Sequence, residues 1–315
     1  MQEFIDDQLP INDLFTEKLS LVLQSYTKKS VTVRCDSKDV FLNPYGFAHG
    51  GFLYTIGHIA ARNMALVCLN RHMQVVQSTC QYLGMVHSAP ITAEAKLMSV
   101  FHEAVVCEAK VYDGKGELCF LQTLILQDTT EDGVELVYPK KYKGKTTSNF
   151  MNTGIMAKGM KRTFDDVCHI GAPYADAKGI HVQTDLYSNT SSDRGYVHQG
   201  VLFTMCDNCV AACVGMLQKK RPVTVTASIH YLLPAVKGPI TATGSLLRAG
   251  NKLAYYDIIV RDGTGKKCCK AQFIMNCTDW PPQIAAMLKK QGFYFDSKID
   301  QDGTMCRPYL CFRRS

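Results

Sequence analysis

Two histidines stand directly ahead of long apolar stretches, as His49-Gly50-Gly51 and His198-Gln199-Gly200. A helix starting there turns its free N–H groups and the positive end of its dipole outward, and Gly50 leaves no side chain between those donors and a developing oxyanion. Asn43 opens the segment NPYGFAHGG before the first histidine, and Ser192 holds the matching place before the second. Asp207 lies inside the second apolar stretch, where a carboxylate needs a partner: it is either a structural acid or a base or nucleophile. The matching residue of the first stretch is His58, four positions before Arg62, a spacing that pairs two polar side chains on one helix face or lets them hold an acidic ligand group. The plainer roles are fixing the loop-to-helix turn for His49 and His198, and close packing for Gly50.

Other candidates divide between chemistry and packing. Cys206 and Cys209 form a CxxC pair with Cys213 on much the same helical face, but no second pair appears at ligand spacing, so small reduced core residues are expected and no metal. Arg248 and Lys252, in the turn LLRAGNK, suit a phosphate group or a solvated hairpin equally. Lys219, Lys220 and Arg221 follow the second apolar stretch and could contact phosphate, although a helix C-terminus favours cations there in any case.

The elements that must position these residues come from an internal repeat. His49 and His198 differ by 198 − 49 = 149, and the same offset aligns Tyr82 with Tyr231, Pro90-Ile91-Thr92-Ala93 with Pro239-Ile240-Thr241-Ala242, and Asp113-Gly114 with Asp262-Gly263. It divides the chain into a first domain over 1–128, a linker over 129–163, a second domain over 164–278 and a tail over 279–315. Each copy reads as a short strand, a loop, one long helix and then a meandering antiparallel sheet, with β-branched residues alternating in VTVTASIHYLL, GPITATGSLLRA and KLAYYDIIVRD. The helix segment is apolar nearly all round, so burial is expected. An α+β fold follows, two tandem copies of a helix wrapped by a curved sheet, paired within one chain as a pseudo-dimer.

The pattern Asn-x-x-Gly-x-x-His-Gly-Gly leading into a helix, together with the later strands and the tandem copy, resembles the phenylacetate-pathway group of hotdog thioesterases. That resemblance implies a hotdog fold and acyl-CoA hydrolysis, with coenzyme A arriving as part of the substrate and no separate cofactor. It also implies a catalytic carboxylate nine residues after the motif histidine, which is Asp207 in the second copy. Nine residues are two and a half turns, so this acid lies about 13 Å along the helix from its own histidine and on the other side. In such dimers the acid of one protomer serves the Asn/His/Gly cluster of the other. Asn43, His49 and Gly50 then face Asp207, whereas Ser192, His198 and Gln199 face His58, a degenerate site. The resemblance also assigns Arg248 and Lys252 to the substrate's phosphates. The GDxNPxH signature of hydratases and the HFPG-type loop of dehydratases are absent, and a non-catalytic acyl-CoA-binding module is the remaining alternative.

Bulk composition narrows the partners. The formal charge of +7 is matched by seven cations between Lys140 and Arg162, in a segment without acids, which reads as a solvated linker and not as a nucleic-acid surface. No apolar run reads as long enough to span a membrane, and the acidic start MQEFIDDQLP is unlike a secretory signal, so a cytoplasmic protein is expected. Fourteen cysteines without framework spacing agree with a reducing compartment. Hotdog sheets often pair again, so a homodimer is a further expectation.

Overall fold

In the computed structural model, which describes residues 13–128, 162–282 and 285–286, both copies follow one plan. The first has helix α1 (Leu14–Lys18), hairpin strands β1 (Leu21–Tyr26) and β2 (Ser30–Cys35), the long helix α2 (Gly50–Leu69), then β3 (Met73–Tyr82), β4 (Ile91–Phe101), β5 (Ala104–Tyr112) and β6 (Leu118–Asp128). The second repeats it with α3 (Phe164–Val167), β7 (Tyr174–Asp176), β8 (Gly179–Thr184), α4 (Gln199–Cys213), β9 (Arg221–Tyr231), β10 (Ile240–Ala249), β11 (Leu253–Arg261) and β12 (Lys267–Thr278). The linker lysines from Lys140 to Lys161, and the tail piece beyond 286, lie outside the described residues.

All twelve strands form one antiparallel sheet in the order β1-β2-β4-β5-β6-β3-β9-β12-β11-β10-β8-β7. The copies join where β3 pairs with β9, Thr79 opposite Ser228, so two strands that would otherwise be edges satisfy each other's backbone groups. The expected meander holds for β10-β11-β12 but not for the strand after the helix: β9 pairs with β12 on one side and β3 on the other. A helix of 20 residues carries the chain about 30 Å over the sheet face, delivering it to the far edge. The single strand expected before the loop is also a hairpin in each copy.

Both long helices are buried between their own sheet and each other, which is why they are apolar on every face. Residues Gly51 to Ala65 of α2 form one unbroken buried run. By length and composition α2 and the Gln199–Gln218 segment could each cross a membrane, contrary to the reading that no run is long enough, but 78% and 72% of them are buried in this fold. The helices cross at small residues: a Cβ on Gly51 would lie 2.4 Å from Thr204 Oγ1, and one on Gly200 would lie 2.5 Å from Thr55 Oγ1. Beside the crossing, Tyr54 and Phe203 stack at 3.7 Å with their planes 3° apart. The thiols of Cys209 and Cys213 pack where β10 carries Gly244, and both are free and buried. No metal-binding group of His, Cys, Asp or Glu occurs among the described residues.

The short helices cross between copies. Phe164 of α3 packs its ring 5.6 Å from His49 and edge-on to Phe52, while Phe15 of α1 lies 5.0 Å from His198. Each motif histidine is thus covered by the other copy's leading helix.

Candidate active site between the copies

A cavity of about 550 Å³ opens between the N-terminus of α2, the second half of α4 and the start of β9. Its floor begins at the helix cap. His49 precedes α2 in extended conformation and its Nδ1 accepts the Gly51 N–H at 2.9 Å, and His198 does the same for α4 with Gly200 at 3.0 Å. Both histidines therefore fix the loop-to-helix turn, and an acceptor at Nδ1 leaves the neutral ring with its proton on Nε2.

Their other ring nitrogens differ. His49 Nε2 lies 3.0 Å from Asp165 Oδ1 and 3.1 Å from Asn208 Oδ1, and Asn208 in turn donates to Asp165. His198 Nε2 has no hydrogen-bond partner among the described residues, and Asp13 Oδ2 lies 3.7 Å from it. Burial works against a second proton on His49, but Asp165, then Asp207 and Asn208, outweigh it and lift the ring to about 9. That proton would have to replace the Gly51 N–H at Nδ1 and turn toward Asp207. On His198 burial and Arg62 act together and push the ring down to about 3.

Asp207 of α4 reaches across to the first copy. Its Oδ2 is 3.7 Å from His49 Nδ1 and would be 2.8 Å from a Cβ on Gly50, while Oδ1 accepts the Thr224 hydroxyl at 3.0 Å. Burial raises the Asp207 carboxyl above its ordinary range, against the opposing pull of His49 and Thr224. The Asp165 carboxyl goes the other way: burial would raise it, but His49 and Asn208 hold it low. Gly50 lines the cavity, and as the first helical residue its N–H has no intrahelical acceptor. Asn43 lines it too, though its Oδ1 is used to build the loop, accepting Tyr45 N–H at 2.9 Å and Phe47 N–H at 3.1 Å.

Around His198 the corresponding residues bond one another. His58 Nε2 meets Gln199 Oε1 at 2.8 Å, and Gln199 Nε2 donates to Val75 O at 2.7 Å. Ser192 is buried, its hydroxyl accepting Arg194 N–H at 3.4 Å. His58 and Arg62 do not pair as their spacing predicts: Arg62, 2% exposed, bonds Asp193 at 3.1 Å and Met73 O at 3.2 Å. By the repeat offset Arg62, Asn63 and Leu66 correspond to the smaller Ala211, Ala212 and Gly215, which line the cavity. There α4 runs on as a π-helical turn over Val214–Gln218, a widening common at functional sites.

Arg248 and Lys252 do not line the cavity; the cation that does is Arg221. The hairpin bearing the first two stands at the same end of the sheet, two strands out, with Leu253 opposite Asn276 and Asn276 opposite Val223. Asp165, Asn208, Thr224 and Tyr82 also border the cavity without having been singled out as site residues from the sequence, whereas Arg221 was weighed there as a phosphate contact. For Tyr82 a signal was present, since the repeat aligns it with Tyr231. Asp165 had none, as the same offset sets it against Thr16.

Comparison with known proteins agrees with this architecture. Residues 45–120 and 194–269 each match the thioesterase superfamily model. A search of curated proteins finds no match. Among solved structures, the acyl-CoA thioesterase II TesB2 of Mycobacterium marinum is 13% identical with a TM-score of 0.54, covering 85% of this chain and 99% of that one. A conserved hot dog protein of Alicyclobacillus acidocaldarius is 14% identical with a TM-score of 0.56, covering 86% and 100%. The 12:0-ACP thioesterase of Umbellularia californica is 10% identical with a TM-score of 0.52, covering 79% and 94%. At these identities the solved structures establish the double-hotdog fold. Each half of that fold thus carries one segment that matches the thioesterase superfamily.

Proposed function

We propose that the chain hydrolyses acyl-CoA thioesters in the cavity between α2 and α4, with Asp207 as general base and the Gly50 N–H as oxyanion donor. The observation that carries this reading is the approach of the Asp207 carboxylate, from the second copy, to the bare helix N-terminus of the first, with Oδ2 2.8 Å from the place of a Gly50 Cβ. A water held by Asp207 gives up a proton as its oxygen attacks the thioester carbon, and the carbonyl electrons move to an oxygen facing Gly50. Collapse expels the thiolate, which takes the proton back from Asp207. A carboxyl raised by its burial is a better base near neutrality than an ordinary aspartate. Asn43 shapes the entrance and His49 holds the helix cap in register with Asp207.

Arg221 at the cavity wall, with Arg248 and Lys252 at the same sheet end, supports a carrier bearing phosphates, and coenzyme A is the carrier we assign. Ser192, His198, Gln199 and His58 form the inert half, since Arg62 occupies its space. Free-thiol release from a panel of acyl-CoA esters tests the reading. Asp207→Asn is expected to lower turnover about a hundredfold or more. His49→Ala is expected to impair turnover and His198→Ala to cost stability alone. Binding without turnover in the unmodified protein, or full activity in Asp207→Asn, overturns it.

A further inference from the structure

Tyr82 closes β3 and lines the cavity beside Gly50. Its hydroxyl oxygen is shielded from solvent and has no hydrogen-bond partner among the described residues. Leaving a buried hydroxyl unpaired is costly, so a group of this kind invites a function. The hydroxyl lies 3.0 Å from the point where a Gly50 Cβ would be, and Asp207 Oδ2 lies 2.8 Å from the same point. Both oxygens thus converge on the face of Gly50 without bonding each other.

The second copy shows what the same tyrosine does when it has partners. Tyr231, the match of Tyr82 in the repeat, donates toward Gln199 O at 2.9 Å and meets Tyr54 OH at 3.0 Å. In the open half the residue matching Tyr54 is Phe203, which carries no hydroxyl. Tyr82 therefore lacks both partners of its match: it makes no bond to the Gly50 carbonyl, which corresponds to Gln199 O, and position 203 offers it no hydroxyl.

We propose that Tyr82 is a second oxyanion donor, its phenol O–H pointing at the thioester oxygen alongside the Gly50 N–H. The proposal rests on the hydrolytic reading of the cavity. Water attacks the carbonyl carbon and its proton passes to Asp207; the carbonyl π pair moves onto oxygen, where Tyr82 and Gly50 receive it. Tyr82 keeps its proton throughout, and the departing thiolate takes the proton held by Asp207. Burial, with Asp207 nearby, holds the phenol well above its ordinary value, so it stays a donor across the working range. Phe203 has a specificity of its own here, because the missing hydroxyl keeps the Tyr82 donor free.

Turnover and melting of Tyr82→Phe, Tyr231→Phe and Phe203→Tyr against the unmodified chain, on the best acyl-CoA ester, test this. Removing one oxyanion donor typically lowers kcat about 10²–10³-fold, so Tyr82→Phe is expected to lose kcat on that scale with KM little changed. Tyr231→Phe is expected to keep kcat and melt lower. Phe203→Tyr is expected to lower kcat by giving the Tyr82 hydroxyl a partner, and it decides the matter if Tyr82→Phe does not fold. A folded Tyr82→Phe with unchanged kcat, or one altered in KM alone, overturns the role of Tyr82 while hydrolysis by the unmodified chain stands. No hydrolysis by the unmodified chain on any ester overturns both readings together.

Discussion

Asp207 and His58 occupy the same turn of two copies of one helix, and their neighbours give them opposite characters. Asp207 faces a histidine cap, a threonine hydroxyl and an open cavity, while His58 faces Gln199 and is held well below its ordinary range by burial, His198 and Arg62. Asp165 adds a third influence, since it takes the Nε2 side of His49 and so leaves Nδ1 to the Gly51 N–H. Asp165→Asn removes the nearest charge favouring a proton on His49 and should lower that ring from about 9 toward its ordinary value. NMR titration of His49 checks this, and an unmoved ring would exclude Asp165 as its main partner. The approach of Asp207 to His49 and Gly50 was legible in the sequence through the resemblance and the repeat offset together. Asp165 was not, because its contact with His49 joins segments 165 − 49 = 116 residues apart and follows no periodic pattern.

At the scale of elements, the crossing of α2 and α4 sets the distance across which Asp207 must reach. Gly51→Ala would gain about 1 kcal/mol of helix propensity. It would also set a Cβ 2.4 Å from Thr204 Oγ1 and 2.8 Å from its Cβ, and overpacking of this kind costs about 1–3 kcal/mol. Net destabilisation is expected, with a drop in turnover as Asp207 moves off Gly50; a urea midpoint at or above that of the unmodified chain would contradict it. The helices themselves were readable from their all-round apolar character and the last three strands from their alternation. The order of the strands was not, since alternation marks which face a strand buries and not which neighbour it takes. Only the helix, carrying the chain across the sheet, sets β9 beside β12 and β3.

For the whole molecule, pH joins two buried histidines of the second copy to stability. His198 is pushed down to about 3 and His169 to about 4, chiefly by burial, against about 6.5 in an unfolded chain. Because both folded values lie below the unfolded one, their contribution is complete above pH 6.5 and is lost as pH falls from there toward 4 and 3. A proton on His198 Nδ1 would also displace the Gly200 N–H that it caps. The melting temperature is expected to fall between pH 7.5 and 5, and His198→Asn, which keeps a capping acceptor without titrating, should flatten the decline. A flat profile for the unmodified chain would show that these rings titrate normally.

Arg62 has a last consequence, for what a gene can change. In an assembly of two identical chains any substitution is written twice, so an arginine in place of alanine would close both cavities at once. Here Arg62 is buried in one copy while Ala211, its counterpart, borders the cavity in the other, an arrangement available only where both halves share a chain. Sharing one chain frees each half from its twin, and an arginine that a symmetric pair would carry twice stands here once, as an internal brace.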